Sequence, residues 1–193
     1  MTIFVLATAN PHKTAEMSAV LAELGIEVLP RPLGLADVDE TADTLVGNAL
    51  LKAQAVMKAS GHAAVADDTG LFVDALNGEP GVYSARYAGE GATDLQNVEK
   101  LLRALDGVET AKRSATFRTV IAVAYPDGRE VVVEGHLPGV ILESPAGEHG
   151  FGYDPVFLPD LENARTLAEM TLEEKNEHSH RARALRALAA ALN

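Results

Sequence analysis

The apolar residues of this chain fall in short runs, and this is what most limits its fold. Ile3 to Ala7, Ile26 to Leu29 and Ala63 to Ala66 are short and read as strands. Between them lie stretches with helical spacing. Met17, Val20, Leu21 and Leu24 recur three and four apart, and Ala49, Leu50, Ala53 and Val56-Met57 form a second such face. Asn10 followed by Pro11 opens the first helix, which runs to about Leu24 and stops at Gly25. The second spans Thr44 to Ser60 and stops at Gly61. Thr93 with Gln96 has capping-box spacing and starts a helix to about Leu105. Ala115 to Tyr125 and Glu130 to His136, joined by Pro126-Asp127-Gly128, predict a β-hairpin. Gly139 to Glu143 reads as a further strand, and Val156 to Leu158 as a short extended piece. Thr171-Leu172-Glu173-Glu174 is another capping box, and a last helix runs from about Ser179 to Leu192. Asn77 to Thr93 and Ser144 to Pro155 read as Gly-rich loops, and Asp67-Asp68-Thr69-Gly70 as the turn that closes the Ala63 strand. Strands and helices mix without strict βαβ alternation. The expectation is one α/β domain, residues 1–193, around a mixed, elongated β-sheet.

Composition narrows the function. With 16 Lys+Arg against 28 Asp+Glu the chain carries a formal charge of −12, which argues against a nucleic-acid surface because phosphate backbones demand clustered cations. It leaves room for one small anion held by a local basic cluster or through a metal. Zero Cys excludes a disulfide scaffold, a thiolate metal site and a Cys nucleophile. No apolar run approaches the roughly 18 residues of a membrane span, and the start has no basic region typical of a signal peptide. The expected location is cytoplasmic.

Four clusters can carry chemistry. Thr8-Ala9-Asn10-Pro11-His12-Lys13 turns a strand into a helix, where free N–H groups and the positive helix end suit an anion and Lys13 adds a cation. Taken alone it is also an ordinary capped helix. Asp67 and Asp68, with Asp39-Glu40 in an earlier loop, are hard oxygen donors of the kind Mg²⁺ takes, and one of them can accept a proton from water. Asp68-Thr69-Gly70 also spells the aspartic-protease triplet, but a single copy among several helices does not fit that fold. Phe151-Gly152-Tyr153-Asp154-Pro155 puts aromatics in a Gly-rich loop, to stack on a planar base or to anchor the loop in the core. Lys175-Asn176-Glu177-His178-Ser179-His180-Arg181 is a basic run at a helix start. His178 and His180 lie two apart and so do not share a helix face, which argues against zinc.

Together these clusters, with Asn48-Ala49-Leu50-Leu51-Lys52-Ala53 and Pro80 to Gly89, resemble the inosine triphosphate pyrophosphatase family, which includes the bacterial XTP/dITP diphosphatases. The resemblance runs from about Val5 to the last helix. It implies an ITPase-like fold: a twisted, mixed sheet flanked by helices, with a central active-site cleft. It implies Mg²⁺-dependent hydrolysis of nonstandard purine triphosphates (ITP, dITP, XTP) to the monophosphate and pyrophosphate, and a homodimer. By resemblance Asp68 matches the catalytic proton acceptor and a Mg²⁺ ligand, and Glu40 a further metal-site carboxylate. Thr8, Ala9, Asn10, Pro11, His12 and Lys13 match the segment that holds the triphosphate, and Thr69 a substrate-contacting position. Phe151, Gly152, Tyr153, Asp154, Lys175, His180 and Arg181 match the nucleoside-binding set. Position 47 departs from the pattern: it is Gly where many relatives carry Glu. His178 also departs, standing where relatives usually have an apolar residue.

The chemistry agrees with this reading. Only a cation makes a triphosphate compatible with carboxylates, and donors such as His180 and Arg181 would favour a 6-oxo purine over adenine. Two rivals remain at this level: a nucleotide-binding protein without catalysis, and a pyrophosphatase for modified pyrimidine or methylated nucleotides in the septum-inhibitor-like group.

Overall fold

A strand too short to fold alone starts the structure. β1 (Phe4–Leu6) is buried along its whole length and lies parallel to both β2 (Val28–Leu29) and β3 (Ala64–Val73). Between β1 and β2 runs α1 (Pro11–Glu23), where the Asn10 side chain accepts hydrogen bonds from the backbone N–H of His12 at 2.9 Å and of Lys13 at 3.2 Å. Thr44 caps α2 (Leu45–Ser60) in the same way through the Gly47 N–H at 3.0 Å. The rest follows as β4 (Pro80–Gly81), α3 (Asp94–Ala104), β5 (Ser114–Ala124), β6 (Glu130–Ile141), β7 (Phe157–Pro159), α4 (Leu172–His178) and α5 (His180–Leu192). The computed structural model describes residues 3–162 and 165–192. Among them the sheet order is β2-β1-β3-β5-β6-β7, with β4 pairing β3; the β3–β4 and β6–β7 pairs are antiparallel, so the sheet is mixed as expected. No helix among the described residues is long and apolar enough to cross a membrane.

The chain groups into two compact units. One comprises Met1–Asp68, Thr119–Gly135 and His180–Asn193, and the other Thr69–Arg118 and His136–Ser179. In the first, α1 packs on α5, and Phe4, Met17, Leu21, Val65, Ile121, Leu185 and Leu188 form the core. In the second, Leu71, Leu101, Leu137, Ile141 and Phe157 form the core, with Phe117 meeting Phe157 edge to face at 4.7 Å. Burial of these side chains, at about 1.5–3 kcal/mol each, supplies most of the drive to fold.

Three expectations need correction. Asp67-Asp68-Thr69-Gly70 is not a turn at the end of a strand: β3 runs straight through it, because Leu71 and Val73 beyond it are fully buried and the acidic side chains find cations. Gly139 to Glu143 does not form a separate strand but begins within the end of β6. The glycines that punctuate β6 serve close packing rather than turning. A Cβ on Gly135 would lie 2.9 Å from Ala184 Cα of α5, and one on Gly139 would lie 2.9 Å from Pro159 Cα of β7. Finally, the loop from Asn77 to Thr93 holds β4 and a single 3₁₀ turn at Ser84–Arg86.

Candidate active site

Strand geometry decides how the acidic pair works. Successive side chains on β3 point to opposite faces, so Asp67 and Asp68 enter two different surroundings. On one side Asp67 Oδ2 lies 3.0 Å from Lys13 Nζ and 3.2 Å from Arg181 Nε, while Arg181 Nη1 holds Glu16 of α1. Arg181 is 1% exposed and Asp67 2%. Burial pushes the Asp67 carboxyl up, but Lys13, Arg181 and Lys52 outweigh it and hold its pKa well below the usual carboxylate range.

On the other side Lys52, from α2, places its ammonium 2.8 Å from Asp68 Oδ1 and 2.6 Å from Glu40 Oε1. Burial disfavours that ammonium, but Asp68, Asp67 and Glu40 together raise its pKa above the ordinary value. Asp68 itself is shifted upward, first by burial and then by Glu40, against the pull of Lys52. Its second oxygen, Oδ2, is buried and has no hydrogen-bond partner. The loop that carries Glu40 is tied down by Asn48, whose Oδ1 accepts from the Ala42 N–H at 3.0 Å. Gly47, the departure noted in the sequence, is where Ala42 packs: a Cβ there would meet Ala42 Cβ at 2.5 Å.

The turn before α1 lies in the same unit. Asn10 donates its N–H to Thr8 Oγ1 at 3.1 Å and gives its side chain to the cap; Thr8 and Lys13 are half-buried, and Ala9, Pro11 and His12 are exposed. His180 opens α5 and is buried, its Nδ1 2.5 Å from Thr119 Oγ1.

The second unit builds the aromatic loop. Asp154 is buried and its Oδ2 accepts from the Phe151 N–H at 2.9 Å and from Lys175 Nζ at 2.5 Å. The Lys175 ammonium lies 4.7 Å from the centre of the Phe151 ring, a cation–π contact. Gly152 donates its N–H to Asp94 at 2.7 Å. The two aromatics divide their roles. Tyr153 is buried and its hydroxyl donates to the Ser84 carbonyl at 2.8 Å, so it anchors the loop; Phe151 keeps a half-exposed ring. Burial also drives the Tyr153 phenol well above its ordinary pKa. Thr69 stands half-buried on β3.

One expectation reads differently in this geometry. The resemblance puts Arg181 beside the nucleoside, yet its Nε and Nη1 serve Asp67 and Glu16 inside the first unit. Residue type alone gives no role to Lys52, which enters only within the Asn48 to Ala53 segment, nor to Glu16, Thr119 and Asp94. Helical spacing does signal the first two. Lys52 falls three after Ala49 and four before Val56 on the buried stripe of α2, and Glu16 falls four before Val20 on that of α1. A charged residue on a buried stripe requires a buried partner.

A divalent cation fits the donors present. Glu40 and Asp68 are hard oxygen donors converging on one positive charge, and the buried Asp68 Oδ2 is left for a further partner. Among the described residues no group of three or more His, Asp or Glu gathers to hold a metal, so the protein supplies few ligands and others must complete the shell.

The family model described as the Ham1 family matches residues 4–191. A dITP/XTP pyrophosphatase of a Thermoanaerobacter species is 50% identical over 183 residues, 94% of this chain and 91% of the relative. The dITP/XTP pyrophosphatase of Bacillus subtilis is 46% identical over 95% of this chain and 93% of its own length. Among solved structures, a HAM1 protein from Coxiella burnetii superposes with a TM-score of 0.88 at 42% identity, covering 100% of this chain and 98% of that one. A nucleoside-triphosphatase/dITP/XTP pyrophosphatase from Mycobacterium abscessus gives 0.76 at 45% identity, with both chains covered in full at 100%.

Proposed function

The chain belongs to the Ham1 family, and from that premise we propose that it hydrolyses nonstandard purine nucleoside triphosphates (dITP, XTP and ITP) to the monophosphate and pyrophosphate. This activity clears such nucleotides before they enter DNA or RNA. We read residues 1–193 as one pyrophosphatase domain, cytoplasmic and homodimeric. The observation that carries the reading is Asp68: a buried carboxyl with a raised pKa, one oxygen on Lys52 and the other without a hydrogen-bond partner.

The mechanism follows from the residues. A water oxygen attacks the α-phosphorus, the bond from that phosphorus to the bridging oxygen breaks, and pyrophosphate leaves. Asp68 takes the proton of the attacking water. Asp68 and Glu40 would hold a divalent cation, Mg²⁺, which would offset charge on the phosphates and on the leaving group. Lys13 and the Thr8 to Lys13 turn hold the triphosphate, with the Asn10, His12 and Lys13 N–H groups already engaged by Thr8 and Asn10 oxygens. Phe151 offers its half-exposed face to the purine, and the loop of Gly152, Tyr153 and Asp154 fixes that ring. Thr69, Lys175 and His180 contact the nucleotide, His180 and Lys175 as donors toward a 6-oxo group that adenine lacks. Arg181 keeps its carboxylates and holds the first turn of α5, which presents His180.

The test measures pyrophosphate released from a panel of triphosphates with Mg²⁺. Release from dITP, XTP and ITP far above ATP supports the proposal, and no release from any of them rejects it. In the same assay Asp68→Asn should lose more than the roughly 10²–10⁴-fold of a general base alone, because a metal ligand goes with it. Near-normal turnover by that variant would dismiss Asp68 from its role.

A further inference from the structure

We infer that Lys52 keeps the nucleotide-free protein from taking up its divalent cation, so that metal enters only with the triphosphate. The inference rests on Glu40 and Asp68 as metal-holding carboxylates.

The same two oxygens that would face a cation, Glu40 Oε1 and Asp68 Oδ1, are already bridged by one ammonium at 2.6 and 2.8 Å. Lys52 is not a stray surface side chain. Its side chain is 12% exposed, and it springs from the buried stripe of α2, a helix capped at Thr44 and closed at Gly61. The ammonium therefore offsets one of the pair's two negative charges by default. A cation arriving alone would have to sit against a like charge a few ångströms away. At an effective dielectric near 20 that repulsion weakens binding by about a hundredfold or more.

Nor does the protein offer much in return. Among the described residues the site gives two carboxylates and no third His, Asp or Glu. Such a set suits a cation that brings waters and takes its remaining ligands from phosphate oxygens. A triphosphate changes both sides of the balance. It supplies the missing ligands, and its anionic oxygens give the Lys52 ammonium another place to go. Lys52 and the cation then exchange partners: the cation takes the carboxylates and Lys52 takes phosphate. Binding of nucleotide and metal becomes mutually dependent, as linkage requires.

The experiment titrates Mg²⁺ calorimetrically into wild type and Lys52→Met without nucleotide, and repeats the wild type with α,β-methylene-ITP, which is not cleaved. Wild type alone should show only weak uptake. Lys52→Met should bind Mg²⁺ about a hundredfold tighter or more, and Mg²⁺ should raise its melting temperature more than that of wild type. Equal Mg²⁺ affinity in the two proteins overturns the inference. If Lys52→Met does not fold, the wild type still decides through water-proton relaxation by Mn²⁺. Protein-bound Mn²⁺ seen only with the nucleotide analogue supports the exchange, and tight Mn²⁺ binding without it refutes the exchange. A Glu40→Gln, Asp68→Asn double variant separates the underlying assumption: if it still forms the Mn²⁺–analogue complex, the metal assignment itself falls, whatever Lys52 does.

Discussion

Replacing Arg181 with Met removes a guanidinium from the middle of the first unit at nearly constant volume. Arg181, Asp67 and Glu16 are 1%, 2% and 4% exposed, so the perturbation acts in a setting where solvent gives little relief. Breaking a buried ion pair by deleting one partner costs about 3–5 kcal/mol. Asp67 retains Lys13 at 3.0 Å, which places the expected loss at the lower end, about 3 kcal/mol. With an unfolding entropy of about 2.1 cal/mol/K per residue over 193 residues, the midpoint should fall by about 7 °C. Adding Glu16→Gln replaces the stranded charge by an amide and should recover about 1 kcal/mol or more, a coupling that a double-mutant cycle isolates. Thermal melts read the stability, and kcat/KM for ITP and ATP well below both midpoints reads the selectivity. If Arg181→Met melts within about 2 °C of wild type while the ITP-to-ATP ratio collapses, the guanidinium serves the base and not the fold. The assignment of Arg181 to holding its carboxylates would then be wrong.

Phe151→Ala should weaken ITP, XTP and ATP alike by about 1–3 kcal/mol, because stacking ignores ring substituents; a loss confined to ITP in the kcat/KM panel would contradict it. Thr119→Val keeps the shape but removes the partner of His180 Nδ1, so it should lower the ITP-to-ATP ratio, with Thr119→Ser restoring it; an unchanged ratio would show that His180 needs no orientation from Thr119. Gly135→Ala should cost more than about 2 kcal/mol in thermal melts, since its Cβ meets the α5 backbone, which cannot swing aside as a side chain can; a wild-type melt would mean that α5 shifts freely.

What the sequence revealed was mostly local. Asn10, Thr93 and Thr171 cap helices where the sequence predicts, because a cap is decided within one turn. The Asp67 to Gly70 segment misled for the same reason. Its composition is that of a turn, and what keeps it extended is supplied by side chains far along the chain, Lys13 and Arg181 for Asp67 and Lys52 for Asp68. The clusters at Thr8 to Lys13, Glu40, Asp67-Asp68, Phe151 to Asp154 and Lys175 to Arg181 could be picked out from residue type. Which charge answers which could not, because the Glu16–Arg181 pairing spans most of the chain.

The opposed side chains of Asp67 and Asp68 have a consequence for folding. Ala64, Val65 and Ala66 are buried on both faces, so hydrophobicity alone scarcely tells this strand which way to face. The two carboxylates remove the ambiguity. Slipping β3 by one residue against Val5 and Leu6 would carry Asp67 toward Lys52 and Glu40, and turn Asp68 away from them. The error is then reported as a mispaired charge in a dry interior, where it is costly. The adjacent acids act as a built-in proofreader of strand alignment, and an insertion or deletion between Gly61 and Ala64 should disable folding before it ever touches catalysis.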